Sequence, residues 1–358
     1  MVEMTHLQTH VGRLRLKNPV IAAAGEHLID EAGIRSAILS GAGAVVGKST
    51  NESEAAKDQL SRAEYVALDR DWQPVPWGPE TPAAVSLLTR SGLTPLAFED
   101  WLAMSRRMEE LALTHDCLYV PSLILADEGA ALDMALRVQA GGFRVLEFNI
   151  GTPYASQAAK GAVSTELSPE RVGKLTAMMT GSLDIPVWIK VTGQSERVPD
   201  LAAAAFAAGA ESVVMAGRAL GMLPDLETQA PMLGTSCGFG GFWNLPLTCH
   251  WLAETRMRLG QEPSLIGING ATSGLDVARM LLAGASAVGL SSEVMLRGWP
   301  VISDAVAALD AYCRDKDTTV AALIGRAADA RCRFADMPKL DAHWRNFIPA
   351  PLDAGKSE

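Results

Sequence analysis

Two lysines stand where apolar runs break into turns, one in Val45-Val46-Gly47-Lys48-Ser49 and the other in Val187-Trp188-Ile189-Lys190-Val191. An ammonium group carried at the end of a buried strand is costly unless an anion meets it, either a ligand or a neighbouring carboxylate. At Lys190 the same placement would also suit a Schiff-base nucleophile. A third apolar run, Val145-Leu146-Glu147-Phe148-Asn149-Ile150, stops at Gly151-Thr152-Pro153-Tyr154, so that an amide, a hydroxyl and a phenol follow one strand end. Glycine-rich turns at Gly238-Phe239-Gly240-Gly241 and Gly267-Ile268-Asn269-Gly270, with Ser291-Ser292 further on, can offer backbone N–H groups to a phosphate. Ordinary tight turns, which favour glycine anyway, are the plainer account of them.

These groups need elements that bring them to one place. Short apolar runs occur at Pro19–Ala24, Gly43–Gly47, Cys117–Leu123, Val145–Asn149, Val187–Val191, Ser212–Met215, Leu265–Asn269 and Ala287–Leu290. Longer amphipathic segments alternate with them: Glu31–Ser40, Ala97–Leu113, Glu128–Ala140, Ser168–Met179, Val198–Ala208, Leu245–Leu259, Ser273–Leu282 and Ile302–Tyr312. Strand then helix, eight times over, predicts an α/β fold, a parallel (β/α)8 TIM barrel, whose chemistry sits at the C-terminal ends of the strands. The glycines of Ala207-Ala208-Gly209-Ala210 and Leu282-Ala283-Gly284-Ala285 suit the ends of helices that turn back into strands. A bare barrel needs roughly 250 residues. The surplus falls mostly at Ser49–Pro95, read as a long insertion after the second strand and a lid or binding loop, and at Pro224–Gly241. The chain reads as one domain over residues 1–358, with Phe334–Glu358 as a surface tail.

Composition narrows the function. The 358 residues are 48% hydrophobic and carry a net charge of −10, which suits a globular enzyme and argues against a nucleic-acid partner. No apolar run is long enough for a transmembrane helix, and the polar N-terminus lacks a signal-like core. The expected location is the cytoplasm, with no membrane partner. Five unclustered cysteines fit free thiols and form neither a zinc nor an iron–sulfur motif, so no metal is expected. One anion that would satisfy both lysines is a reduced flavin ring.

Taken together, Leu16-Lys17-Asn18-Pro19-Val20, Ala24-Gly25, Val45 to Ser49, Asn149 to Pro153, Pro186 to Lys190, Gly238 to Gly241 and Gly267 to Gly270 resemble the FMN-dependent dihydroorotate dehydrogenases. The flavin domain of dihydropyrimidine dehydrogenase is similar. The resemblance spans about residues 14–298 and implies FMN over the barrel mouth. By that likeness Lys48, Asn149 and Lys190 would contact the flavin ring or the adjacent substrate. Gly240, Gly241, Gly270, Ser291 and Ser292 would hold ribityl and phosphate, and the strand-end residues Ala24, Gly25, Ser49 and Asn269 complete the cofactor set.

The departures concern the substrate. The family's catalytic-base position falls on Thr152, a weak base without a relay, and Tyr154 could deliver the proton instead. Thr89, Arg90, Gly92 and Leu93 occupy the substrate loop, where two asparagines of the family pattern are missing. Arg218 follows the sixth strand where an asparagine is usual, and Arg90 and Arg218 could clamp an anion. His27 reads as a general acid or a structural histidine, and Cys237 and Cys249 as unreactive. Tyr65, Trp72 and Trp77 would cover the site or join a subunit contact. The resemblance implies an oxidoreductase moving a hydride between flavin N5 and a carbon of a small, cyclic substrate across a CH–CH bond, with Lys48, Thr152 and Tyr154 as catalytic residues. Its electron partner is left open, and a homodimer is expected. Dihydroorotate dehydrogenase proper, a Lys190 aldolase and a catalytically silent flavin-binding barrel are the alternatives.

Overall fold

Alternate residues of a strand face opposite sides, and in a parallel barrel both sides are buried, which is why the strand runs are apolar almost throughout. The computed structural model describes residues 5–151, 168–215, 217 and 219–349. Its barrel strands are β1 (Val20–Ala22), β2 (Ala44–Val46), β3 (Leu118–Val120 and Ser122–Ile124), β4 (Leu146–Asn149), β5 (Val187–Lys190), β6 (Ser212–Met215), β7 (Leu265–Ile268) and β8 (Ala285–Leu290). Every pairing around the ring is parallel, and β3 closes it. Leu118–Val120 pairs with β2, while Ser122–Ile124 pairs with β4. Pro121 divides β3 because it has no N–H to give to the ladder, but its carbonyl accepts the Glu147 N–H at 2.9 Å.

The alternation sorts the core into two parts. Ile21, Val46, Val120, Trp188, Val214, Ile266 and Ala287 point into the barrel, joined by Val11 and Leu16 of an antiparallel hairpin (Thr9–Val11 with Leu14–Leu16) at the N-terminal end. Their neighbours Val20, Val45, Tyr119, Phe148, Ile189, Val213 and Val288 pack outward under the helices. Those helices are α1 (Glu31–Leu39), α2 (Phe98–Thr114), α3 (Glu128–Ala140), α4 (Pro169–Thr180), α5 (Val198–Ala207), α6 (Leu245–Leu259), α7 (Gly274–Leu282) and α8 (Pro300–Asp315). Asp30, Asp127, Ser168 and Ser273 cap α1, α3, α4 and α7, each accepting a backbone N–H three residues on. The barrel expectation is met, element by element.

The insertions differ from their reading as loops. Glu64–Leu68, Pro74–Val75 and Ser86–Arg90 from the first, with Ala219–Gly221 and Cys237–Gly241 around the second, form a five-stranded antiparallel sheet. The strand Ser86–Arg90 lies at its centre, bonded to Glu64–Leu68 on one side and Cys237–Gly241 on the other. Glycines and prolines hid these short strands, because a half-buried strand needs only a few apolar residues on one face. Leu68, Leu88, Leu233 and Cys237 bury one side of it, and Ala67, Val85, Leu87 and Leu296 another. The sheet is fastened to the barrel after β8: Trp77 Nε1 donates to the Met295 carbonyl at 3.1 Å, and Arg297 donates to Pro79 and Pro82 carbonyls at 3.0 and 3.1 Å. Residues 334–349 of the expected tail are exposed throughout, and the rest of that tail lies outside the described residues.

Candidate functional site

A cavity lies at the C-terminal ends of the strands. Its floor and walls come from Ala24, Gly25 and Glu26 after β1, Lys48 and Ser49 after β2, Asn149 and Gly151 at the end of β4, and Lys190 at the end of β5. Asn269 and Gly270 after β7, and Ser291 and Ser292 after β8, continue the rim. The accessory sheet supplies the cover: Tyr65, Trp77, Leu87, Thr89, Phe239, Gly240 and Gly241. All twelve residues assigned to a cofactor from the sequence line this one cavity, and of the substrate set Thr89 and Leu93 do so.

Both lysines are ion-paired there. Lys48 Nζ lies 2.9 Å from Glu26 Oε1, and Lys190 Nζ lies 3.6 Å from Glu147 Oε1. Each carboxylate compensates the burial of its ammonium while leaving the lysine on the cavity wall. Lys48 is also held through its backbone, whose N–H donates to the Leu28 carbonyl at 2.9 Å and whose carbonyl accepts from Trp101 Nε1 at 3.3 Å. Glu147 is only 2% exposed and precedes Asn149 by two, so both project from the same face of β4. It also accepts the Ser122 hydroxyl at 2.8 Å. That hydroxyl has one proton to give, so Ser49 must be the donor in the 2.8 Å contact between the two serines. Two hydrogen bonds thus run across the floor from Ser49, just past β2, through Ser122 on β3 to Glu147 on β4, and an ion pair carries the line on to Lys190 on β5.

Asn149 is oriented by its own turn, its Oδ1 accepting the Gly151 N–H at 3.1 Å. Backbone surface makes up much of the opposite wall. Gly270 sits at φ 102°, and a Cβ built there would lie 2.3 Å from the Leu245 nitrogen. At Gly241, with φ 148°, it would lie 2.6 Å from the Val85 carbonyl oxygen. Only glycine serves at these two positions, which leaves main-chain groups open to a ligand. Asn269 precedes Gly270 in the left-handed region at φ 75°, a conformation that asparagine tolerates better than most side chains. Such a wall, facing two ammonium groups across a space covered by aromatic rings, can hold a phosphorylated aromatic cofactor.

Other sequence expectations fall elsewhere. Arg90 does not line the cavity: its guanidinium donates to the Arg62 carbonyl at 2.6 Å, the Leu233 carbonyl at 2.6 Å and Glu64 Oε2 at 2.8 Å. It ties the two insertions together, so the anion-clamp reading is replaced by a structural one. Gly92 stands behind the wall and donates its N–H to Glu26 Oε1 at 3.2 Å. His27 is not on the cavity wall either. Burial, and then the Lys48 ammonium, push its pKa down to about 4, and its two ring nitrogens are buried without hydrogen-bond partners. Off the wall and neutral near physiological pH, the imidazole fits the structural reading rather than the general-acid one. Burial likewise pushes the Cys249 thiol up to about 11, in keeping with an unreactive cysteine. Thr152, Tyr154 and Arg218 lie outside the described residues. Trp72, expected over the site or at a subunit contact, does not line the cavity and is half-exposed beside Phe239.

Glu26 and Glu147 were assigned no role from the sequence. A signal for Glu147 was present, as a charged residue within an apolar strand and in step with Asn149. Glu26 is 22 positions from Lys48, and nothing local announces the pairing.

Residues 133–312 match the family model described as dihydroorotate dehydrogenase. Among curated relatives, the dihydroorotate dehydrogenase B (NAD(+)) catalytic subunit of Methanopyrus kandleri is 28% identical over 280 residues, covering 76% of this chain and 81% of that protein. Its counterpart in Methanosarcina acetivorans is 29% identical, covering 85% and 90%. The dihydroorotate dehydrogenase A (fumarate) of Lactobacillus helveticus is 26% identical, covering 80% and 87%.

Proposed function

Because the chain belongs to the dihydroorotate dehydrogenase family of FMN-dependent flavoenzymes, we propose that it is an oxidoreductase that binds FMN in the cavity above the barrel and acts on a CH–CH bond of a small cyclic substrate. The observation that carries this reading is the meeting of Lys48, Lys190 and Asn149 with the Gly240-Gly241 and Asn269-Gly270 backbone around one space. When bound, FMN supplies a hydride acceptor or donor at its N5. Lys48 and Lys190, each beside its carboxylate, would donate hydrogen bonds to electron-rich atoms of the ring, and Asn149 would add an amide contact. The glycine wall and Ser291-Ser292 hold ribityl and phosphate through main-chain donors. Tyr65, Trp77 and Phe239 exclude water from the reacting face. Thr152 or Tyr154, on the segment after β4, handles the partner proton.

The substrate pocket departs from the pyrimidine pattern: Thr89 and Leu93 reach the cavity, whereas Arg90 is committed to the accessory sheet. An aldolase built on Lys190 is less well supported, since an amine engaged as the cationic half of a pair with Glu147 is not a free nucleophile. Among the described residues no helix is long and apolar enough to cross a membrane.

The test is FMN uptake. The purified protein should bind one FMN per chain with a visible flavin spectrum, and Lys48→Met and Lys190→Met should each weaken binding at least tenfold. Protein that takes up no FMN under reconstitution would remove the proposal.

A further inference from the structure

Along β4 the strand register sets Glu147 against Ser122 of β3 and Trp188 of β5, one layer beneath the paired Asn149 and Lys190. The interior around that lower layer is apolar, filled by Trp188, Val145, Val46, Val120 and Ile266. The Glu147 side chain is 2% exposed, so its charge is answered by protein groups rather than by water. Among the described residues those groups are the Ser122 hydroxyl at 2.8 Å and the Lys190 ammonium at 3.6 Å. In so poorly screened a place an unopposed ammonium acts over several ångströms, whereas an ammonium 3.6 Å from a carboxylate acts as a dipole whose field falls off faster. Lys190 lines the cavity, so the difference reaches a ring held there. A hydride added to an oxidised flavin brings two electrons and one proton and leaves the ring one unit more negative. A lone ammonium on the wall favours that reduced form, and a neutral pair favours it less.

Resting on the FMN reading above, we infer that Glu147 is a positioning residue that sets the reduction potential of the bound flavin. It holds the Lys190 ammonium at the cavity floor as half of a neutral pair, and so keeps the potential lower than the ammonium alone would make it. Lys190 then offers directed hydrogen bonds without net charge, and the reduced ring stays a ready hydride donor. Ser122 supports the arrangement, because its hydroxyl fixes the same Oε1 that faces the lysine.

The experiment measures the two-electron reduction potential of FMN bound to the full chain, by dithionite reduction against a reference dye of known potential. The proteins are the wild type, Glu147→Gln, Glu147→Asp and the double variant Glu147→Leu/Lys190→Met, each loaded with FMN. Glu147→Gln keeps an oxygen for the Ser122 hydroxyl but leaves the ammonium unopposed. Its potential should rise by at least about 30 mV, a tenfold shift towards holding reduced over oxidised flavin. Glu147→Asp keeps the charge and should stay within about threefold of the wild type, roughly 15 mV. The double variant removes both charges and should not rise above the wild type. A merely structural role would loosen oxidised and reduced flavin alike and leave every potential where it was. An unchanged or lowered potential in Glu147→Gln overturns the inference, as does an equal rise in Glu147→Asp or in the double variant. FMN content is read separately from the visible spectrum. Failure to take up flavin therefore counts against the proposed function, and failure of the potential to rise counts against the role of Glu147. Thermal melting of each loaded protein confirms that it is folded, and Glu147→Leu serves as a second charge-removing variant with the same expected rise.

Discussion

Removing Glu147 should expose how much the floor of the cavity depends on one ion pair. At the observed 3.6 Å, and with an effective dielectric of ~20, the gross attraction between Glu147 and Lys190 is about 5 kcal/mol. Solvent screens it little, since the Glu147 side chain is 2% exposed and that of Lys190 is 14% exposed. Glu147→Gln keeps an oxygen for the Ser122 hydroxyl but leaves the ammonium without its counter-charge, and breaking a buried pair in this way costs roughly 3–5 kcal/mol. Replacing both partners by apolar side chains, Glu147→Leu with Lys190→Met, removes two desolvation penalties along with the attraction and should bring stability back to within about 1 kcal/mol of wild type, apart from the lost Ser122 bond. Urea unfolding of the flavin-free protein, followed by tryptophan fluorescence, measures both. A Glu147→Gln variant that loses under about 1 kcal/mol would show that the pair is solvated and that the buried-floor reasoning is wrong.

Two further outcomes follow from the site. Gly270→Ala should destabilise the fold by more than the ~1–2 kcal/mol of a left-handed alanine, because its Cβ would also strike Leu245. Gly41→Ala, at φ 93° with open space around the added carbon, isolates the conformational part, and equal losses in the two would refute the steric argument. His27 bears on pH. Its folded pKa of about 4 lies below the ordinary value of 6.5, so the unfolded chain takes the proton first and stability falls as pH drops from 6.5 towards 4. Above pH 6.5 the histidine is neutral in both states and contributes no slope. The loss is at most about 3 kcal/mol across that window. His27→Phe should flatten the dependence there, as read by urea unfolding at several pH values, and an unchanged slope would place the effect on other groups.

Local pattern determined much of this molecule. A short run such as Val187-Trp188-Ile189-Lys190, rich in β-branched and aromatic residues and bounded by Pro186 and Gly193, reads as a strand buried on both faces, and a cap such as Asp127 or Ser273 marks where a helix begins. The order of eight such pairs specifies a barrel, and a barrel puts every strand end on one rim. That chain of local rules is why Lys48, Asn149, Lys190, Asn269 and Gly270 could be gathered from the sequence before any coordinates. Tertiary structure alone decided their partners. Glu26 and Lys48, Glu147 and Lys190, and the Arg90 guanidinium with the Leu233 carbonyl are separated in the chain by loops whose path no short-range preference dictates. The accessory sheet shows the same limit. Gly238 pairs with Thr89 across 149 positions, and a strand's hydrogen-bonding edge carries no mark of which partner it will meet. Which charges are neutralised over the barrel mouth, and hence what can bind there, was settled only when distant segments packed together.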